Sequence, residues 1–240
     1  MELNGVKITW LGHGTFLFEH GGKKTLLDPW LAGNPSCPKA FHDLVPDLVL
    51  ITHGHSDHIG NVFEVAERSK APFVGIFDLV TWLGQKGIAG DRLIGMNKGG
   101  TVRLDEFGLS VSMVHAVHSS SFVEEDGRIV YLGEAAGFFL VFDEGLRIYV
   151  AGDTAFFGDM EWIGRLFEPT VAILPIGDRF TMDPRQAAWA AEVLDVDAVI
   201  PAHFGTFDLL TGTVEEFKIE LNNLECHAKP IMLKPGESVG

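Results

Sequence analysis

Within six residues, the segment His53-x-His55-x-Asp57-His58 sets three imidazoles beside one carboxylate. It follows Leu48 to Ile51, an apolar run that reads as a buried strand, so these groups gather where a strand empties into a loop. Leaving buried polar groups unpaired costs about 1–3 kcal/mol each, and a bound metal ion removes that cost. Imidazole nitrogens and carboxylate oxygens are good zinc ligands. A tight loop can also turn alternate side chains toward two adjacent ions instead of one.

The elements that must position this segment are legible from short-range patterns. Val6 to Trp10, Thr15 to Glu19 and Thr25 to Leu27 read as an opening strand meander, followed by a Pro-containing loop from Pro29 to Phe41. After the histidines, Ile59 to Lys70 and Leu79 to Lys86 carry helical spacing around a strand at Phe73 to Gly75. Strands are predicted at Leu109 to Val117, Ala136 to Phe142 and Leu146 to Val150, the last two joined by the turn Asp143-Glu144-Gly145. Met160 to Phe167 reads as a helix and Val171 to Leu174 as a strand. Asp183-Pro184 supplies the N-cap and first-turn proline of a helix from Arg185 to Leu194, and Ala198 to Ile200 is one more strand. Strands open each half, helices come between later strands, and no Ser/Gly-rich linker intervenes. The expectation is one α/β domain over residues 1–240, in four layers with two sheets inside and helices outside.

Composition narrows the function. The 18 basic and 33 acidic residues leave a formal charge of −15 with no Lys/Arg cluster, which argues against nucleic acid as a partner. Apolar residues at 46% can fill a proper core, so the chain is not a disordered tail. Cys37 and Cys226 are too few for a disulfide framework or a CxxC zinc knuckle and read as buried thiols in a reducing interior. The N-terminus has no basic region leading into an apolar stretch, and no apolar run approaches about 20 residues without a charge or turn. A soluble, cytoplasmic protein without a membrane span is expected. The oligomeric state is not set by the sequence, and a homo-oligomer stays open.

The segment His53-x-His55-x-Asp57-His58 resembles the signature of the metallo-β-lactamase-fold superfamily of metal-dependent hydrolases. Leu11-Gly12-His13-Gly14-Thr15-Phe16, Leu27-Asp28-Pro29-Trp30, His118-Ser119-Ser120-Ser121, Ala151-Gly152-Asp153-Thr154 and Pro201-Ala202-His203-Phe204-Gly205-Thr206 follow in the order that family shows, so the resemblance covers nearly the whole chain. It is similar in particular to a compact branch related to ascorbate-6-phosphate lactonase and N-acylphosphatidylethanolamine-hydrolysing phospholipase D. The resemblance implies the αββα metallo-β-lactamase fold and two divalent metal ions per chain, zinc before manganese or iron. It places His53, His55 and His118 on one ion, Asp57, His58 and His203 on the other, and Asp153 between them. A carboxylate suits that last position, because its two oxygens can each face one of two ions about 3.5–4 Å apart.

His118 must be distinguished from His115. On a regular strand Leu109, Val111, Met113 and His115 share one face, and Ser110, Ser112, Val114, Ala116 and His118 the other. His118 directly precedes the turn-like serines and so is placed in the site, with His115 outside it. Asp28, at a strand end before Pro29, is the candidate to hold the second ring nitrogen of a ligand histidine. His13, between two glycines, is a candidate for substrate binding or proton transfer, and Arg179 for clamping an anionic substrate.

The function expected is hydrolysis by a dinuclear centre, the ions lowering the pKa of a bound water from 15.7 toward about 7 and so furnishing hydroxide. Asp57 would orient that water and take its proton, with His13 aiding the leaving group. An ester, lactone or phosphoester in a small substrate suits such a nucleophile. The substrate can be anionic, since the ions outweigh the acidic residues locally. Two readings from other classes compete. Di-iron redox proteins of this fold resemble HxExDH, with a carboxylate where this chain has His55, and work with a flavodoxin-like domain for which 240 residues leave no room. A non-catalytic metal-binding module would need no open coordination position.

Overall fold

Alternate side chains of the predicted strands bury on opposite faces, which requires two layers above and below each sheet. The computed structural model describes residues 3–240 and supplies those layers. The first half runs β1 (Lys7–Trp10), β2 (Phe16–His20), β3 (Lys23–Leu27), β4 (Leu48–Leu50), α1 (Ser56–Ile59), α2 (Val62–Arg68), β5 (Phe73–Ile76), α3 (Phe77–Gln85) and β6 (Leu93–Met96). It continues with β7 (Thr101–Leu104), β8 (Leu109–His115), a hairpin of β9 (Ser121–Val123) and β10 (Ile129–Tyr131), β11 (Ala136–Phe142) and β12 (Arg147–Val150). The remainder is α4 (Met160–Phe167), β13 (Val171–Pro175), α5 (Pro184–Leu194), β14 (Ala198–Ala202), α6 (Val214–Asn223), β15 (Lys229–Pro230) and β16 (Ser238–Val239).

Two seven-stranded sheets result, ordered β16-β1-β2-β3-β4-β5-β6 and β15-β14-β13-β12-β11-β8-β7. Strand β12 shows how one strand serves two layers. Ile148 and Val150 of β12 join the core between the sheets, while Tyr149 faces the outer layer with Ala187 and Ala191 of α5 and Phe217 of α6. Burying each such Ile, Leu, Val or Phe side chain stabilises the fold by about 1.5–3 kcal/mol. The αββα order expected from the sequence is the order observed. Among the described residues, no helix is long and apolar enough to cross a membrane. Cys37 and Cys226 are free thiols, the first buried.

Two local expectations need correction, and one helix has none to match it. The helix predicted from Ile59 to Lys70 is the shorter α2, Val62–Arg68, and a separate turn of helix, α1, precedes it within the histidine segment, with Gly60 and Asn61 between the two. The Asn61 side chain accepts from the Leu31 N–H and its own N–H donates to the Pro29 carbonyl, so the break ties the helix to the opening loop. The strand predicted through Val117 stops at His115, because the Val117 N–H leaves the ladder to donate to Thr154 Oγ1. The helix α6 went unpredicted, although Thr213 and Glu216 form a capping box at its start.

Candidate metal centre

β3 and β4 run parallel, as do β12, β13 and β14, and β1 and β8 take the same direction through an antiparallel neighbour, so all these strands end at one rim. There His13 follows β1, Asp28 follows β3, the His53–His58 segment follows β4, His118 lies beyond β8, Asp153 beyond β12 and His203 after β14. Ligands in open α/β sheets collect at such carboxyl ends. The exits are sharp: His13, Asp28 and His203 hold left-handed backbone, with φ of 54°, 49° and 54°. Each such residue costs about 1–3 kcal/mol and persists where its surroundings fix it. For His13 they do, since its carbonyl accepts both the Trp10 indole N–H at 2.9 Å and the His203 N–H at 3.0 Å. Gly14 is required for a different reason, because a Cβ there would stand 2.6 Å from the His58 ring.

Asp153 is the hub. Its Oδ2 lies 3.1 Å from His203 Nε2, 3.3 Å from His58 Nε2, 3.6 Å from His118 Nε2 and 3.9 Å from His53 Nε2. His53 Nε2 and His55 Nδ1 face each other at 3.0 Å. The donor atoms fall into overlapping groups: His53, His55 and His118; His53, His58 and Asp153; and His13, Asp57, His58 and His203. His58 Nε2 and both ring nitrogens of His203 are buried with no aligned hydrogen-bond partner. Lone pairs and a carboxylate that converge without bonding one another fit a cation held between them.

The electrostatics agree with that fit. Burial, reinforced by the His58 charge, keeps His53 well below the usual imidazole range, and burial likewise lowers His55 and His118, so these three present neutral donors. Burial works against charge on His58 and Asp153 too, yet each is held in its charged form: His58 by Asp153 and Asp28, Asp153 by His203 and His58. The site thus carries carboxylate charge that needs a proton or a cation in its midst, and the His58 Nε2 proton is the one a cation would displace.

Asp28 stands behind the cluster, 1% exposed. Its Oδ2 accepts from His58 Nδ1 at 2.8 Å and from Thr52 Oγ1 at 2.7 Å, and its Oδ1 accepts from the Thr52 N–H at 2.8 Å. Thr52 Oγ1 in turn lies 3.0 Å from His53 Nδ1. One carboxylate thereby orients two histidines, one directly and one through a hydroxyl. His13 has both ring nitrogens engaged, Nε2 with Asp57 Oδ2 at 3.1 Å and Nδ1 with Thr206 Oγ1 at 3.0 Å. Burial pushes His13 down to about 4, against the opposing hydrogen bond to Asp57. It is therefore neutral, its Nε2–H donating to Asp57 and its Nδ1 accepting from Thr206. Burial would raise Asp57, but the His13 hydrogen bond and the His58 charge hold it below the usual carboxylate range.

His115, expected outside the site, is exposed beside Lys98 Nζ at 3.2 Å and packs edge-on against Phe157. Arg179, expected to face substrate, is exposed with its guanidinium 5.5 Å from the Phe180 ring centroid and does not line the cavity at the cluster. Thr206, Thr52, Phe180 and Phe207 are the site neighbours that sequence reasoning did not single out. Thr206 closes the quoted segment Pro201 to Thr206, but its partner is 193 residues away.

A family model described as a beta-lactamase superfamily domain matches residues 24–204. A UPF0173 metal-dependent hydrolase of Roseiflexus sp. (strain RS-1) is 46% identical over 237 residues, covering 97% of this chain and 96% of that protein. One from Koribacter versatilis (strain Ellin345) is 46% identical over 240 residues, covering 99% of each. Among solved structures, Igni18, a metallo hydrolase from the hyperthermophilic archaeon Ignicoccus hospitalis, matches with a TM-score of 0.84 and 37% identity, covering 98% of this chain and 97% of that one. With these matches spanning the strand ends that carry the histidine and aspartate cluster, the chain belongs to the beta-lactamase superfamily, among its UPF0173 metal-dependent hydrolases.

Proposed function

We propose that this chain is a dinuclear hydrolase, with His53, His55 and His118 holding one ion, Asp57, His58 and His203 the other, and Asp153 shared between them. The observation that carries the reading is the place of Asp153 Oδ2, within 3.9 Å of imidazole nitrogens from both sets. Zinc suits this imidazole-rich, thiolate-free donor set, as do manganese and iron less well. Bound there, the ions supply Lewis-acid polarisation of the scissile group and a water ionised near neutral pH.

The chain's own residues do the rest. Asp57, with Oδ2 fixed by His13, orients the attacking water and takes up its proton. Asp57, which as a carboxylate only accepts, sets the His13 tautomer with its Nε2–H toward Asp57, and the Thr206 hydroxyl completes it by donating to Nδ1, which holds the ring against the carboxylate. Asp28 keeps the His58 lone pair aimed into the cluster. The scissile bond we assign is an ester, lactone or phosphoester of a small substrate.

The test is metal analysis of gently purified protein together with a hydrolysis screen over ester, lactone, thioester and phosphodiester substrates. About two ions per chain and turnover of at least one class are expected. Occupancy that stays at one ion under saturating metal, with His203→Ala leaving it unchanged, would falsify the dinuclear arrangement. Tight metal binding with no turnover would favour the non-catalytic module instead.

A further inference from the structure

We propose that the substrate presents an uncharged, apolar group to this centre, held between Phe180 and Phe207. The proposal rests on the hydrolytic reading above and adds the class of substrate. A cavity of about 290 Å³ opens onto the cluster, and its walls other than candidate ligands are Ser119, Phe180 and Phe207. That is near the lower end of the range of about 300–1,000 Å³ for small-molecule sites, so the apolar group is short.

The walls away from the ions oppose an anionic tail. Among the described residues no Lys or Arg lines the cavity, and Ser119, Phe180 and Phe207, its walls beyond the candidate ligands, carry no charge. A charged tail would therefore lose water without gaining a cationic partner. The neighbouring cation, Arg179, lies over the Phe180 ring.

The aromatic walls are built, not incidental. Phe180 is 50% exposed, yet the turn before it takes two successive left-handed residues, Asp178 with φ of 64° and Arg179 with φ of 52°. Non-glycine residues avoid this region, and such strain persists only where contacts fix it. Here Thr211 Oγ1 donates to Asp178 Oδ2 at 3.0 Å, and the Asp178 N–H donates to the Met182 carbonyl at 3.0 Å. The Met182 N–H donates to the carbonyl of Thr154, the residue after Asp153, also at 3.0 Å. The loop that presents Phe180 is thus tied to the strand exit that presents the central carboxylate. Phe207, 40% exposed, packs edge-on against His13 with ring centroids 5.6 Å apart and lies 5.9 Å from Trp30. The loops that deliver His118, Asp153 and His203 also expose Val117, Phe156 and Leu209, extending the apolar character of that rim.

The experiment compares two esters that differ only at the far end of the chain, methyl heptanoate and monomethyl pimelate, on zinc-loaded protein by acid release. A second readout needs no turnover: saturation-transfer NMR binding of hexyl methyl ketone and of its ω-carboxylate analogue. The uncharged member should be preferred at least tenfold in both. Phe180→Ala and Phe207→Ala should each cut the preference for methyl heptanoate over methyl acetate by about tenfold, the factor expected from losing roughly 55 Å² of apolar contact. Phe180→Leu and Phe207→Leu, which keep an apolar wall, should retain most of it. Equal use of the charged and uncharged esters, or a chain-length preference unmoved in both alanine variants, overturns the proposal while the hydrolase reading stands. If no ester is turned over, ester cleavage is lost from the proposed function and the ketones decide. Binding of the uncharged ketone that weakens in both alanine variants upholds the aromatic clamp, and no binding, or equal binding of the two ketones, overturns it.

Discussion

Replacing Asp28 by asparagine should weaken metal binding on the His58 side of the cluster by about 10–100-fold, although Asp28 touches no candidate ion position. In the native arrangement His58 Nδ1–H is committed to Asp28 Oδ2 at 2.8 Å, so an ion that displaces the Nε2 proton meets a lone pair facing Asp153. An asparagine amide has one acceptor for donors on two sides, His58 Nδ1–H and Thr52. If its NH2 faces His58, the imidazole proton must move to Nε2 and the ring can no longer ligate. If its oxygen faces His58, the NH2 opposes the Thr52 N–H instead. Either way one charge-assisted hydrogen bond is lost, about 1.5–3 kcal/mol, which converts to roughly ten- to hundredfold in affinity. The His53 side should suffer less, since Asp28 reaches His53 only through the Thr52 hydroxyl. Thr52→Val removes that second path and should weaken the His53 side more than the His58 side, whose direct bond to Asp28 remains. Zinc titration against a chromophoric chelator, fitted to two sites, measures both losses, and melting of the metal-free variants separates affinity from folding. Wild-type affinity at both sites in Asp28→Asn would refute the orienting role.

Four further outcomes follow from the same geometry. His118→Ala should lose at least about tenfold in affinity for one ion, while His115→Ala, on an exposed residue beside Lys98, should stay within about twofold in the same titration. Asp153→Ala should lose both metal and turnover, whereas Asp57→Ala should lose turnover and keep the ion of His53, His55 and His118; metal content after gel filtration distinguishes them. Tyr149→Phe should leave stability unchanged or raise it by up to about 1 kcal/mol in urea denaturation, because the Tyr149 hydroxyl is buried without a partner. Burial pushes the Cys37 thiol up to about 11, so its thiolate at pH 8 is about a hundredfold scarcer than that of an ordinary thiol at 9.0, and iodoacetamide should label it correspondingly slowly in the native protein.

The residues that sequence made visible are those whose signal is local. His53, His55, Asp57 and His58 share one loop and one short helix, so their density survives without knowledge of the fold. Asp28, Asp153 and His203 could be read because each closes an apolar strand beside a Pro, Gly or Ala that marks the exit. What stayed hidden depends on loops meeting across the rim. Thr206 acquires its role from His13, and Thr154 ends β8 early by taking the Val117 N–H. His118 therefore reaches the cluster from a loop, and the alternation that favoured it over His115 describes β8 only as far as His115. Edge strands such as β6 and β7 escaped because their burial is mixed, which blurs a period of two.

The left-handed exits connect fold and chemistry more closely than either does alone. A strand that ends in a sharp turn usually needs glycine there, because a Cβ is disfavoured at positive φ. Aspartate, asparagine and histidine are the non-glycine types that tolerate that region best. Two of those three are also metal ligands, and His13, Asp28 and His203 occupy such positions in this rim. A rim built from them can turn the chain and present donor atoms with the same residue, and imidazoles from beyond the ends of β4, β8 and β14 meet there on one carboxylate oxygen from beyond β12. Gly152, with φ of 62°, does the turning for Asp153 instead, and the carboxylate after it is left free to occupy the centre.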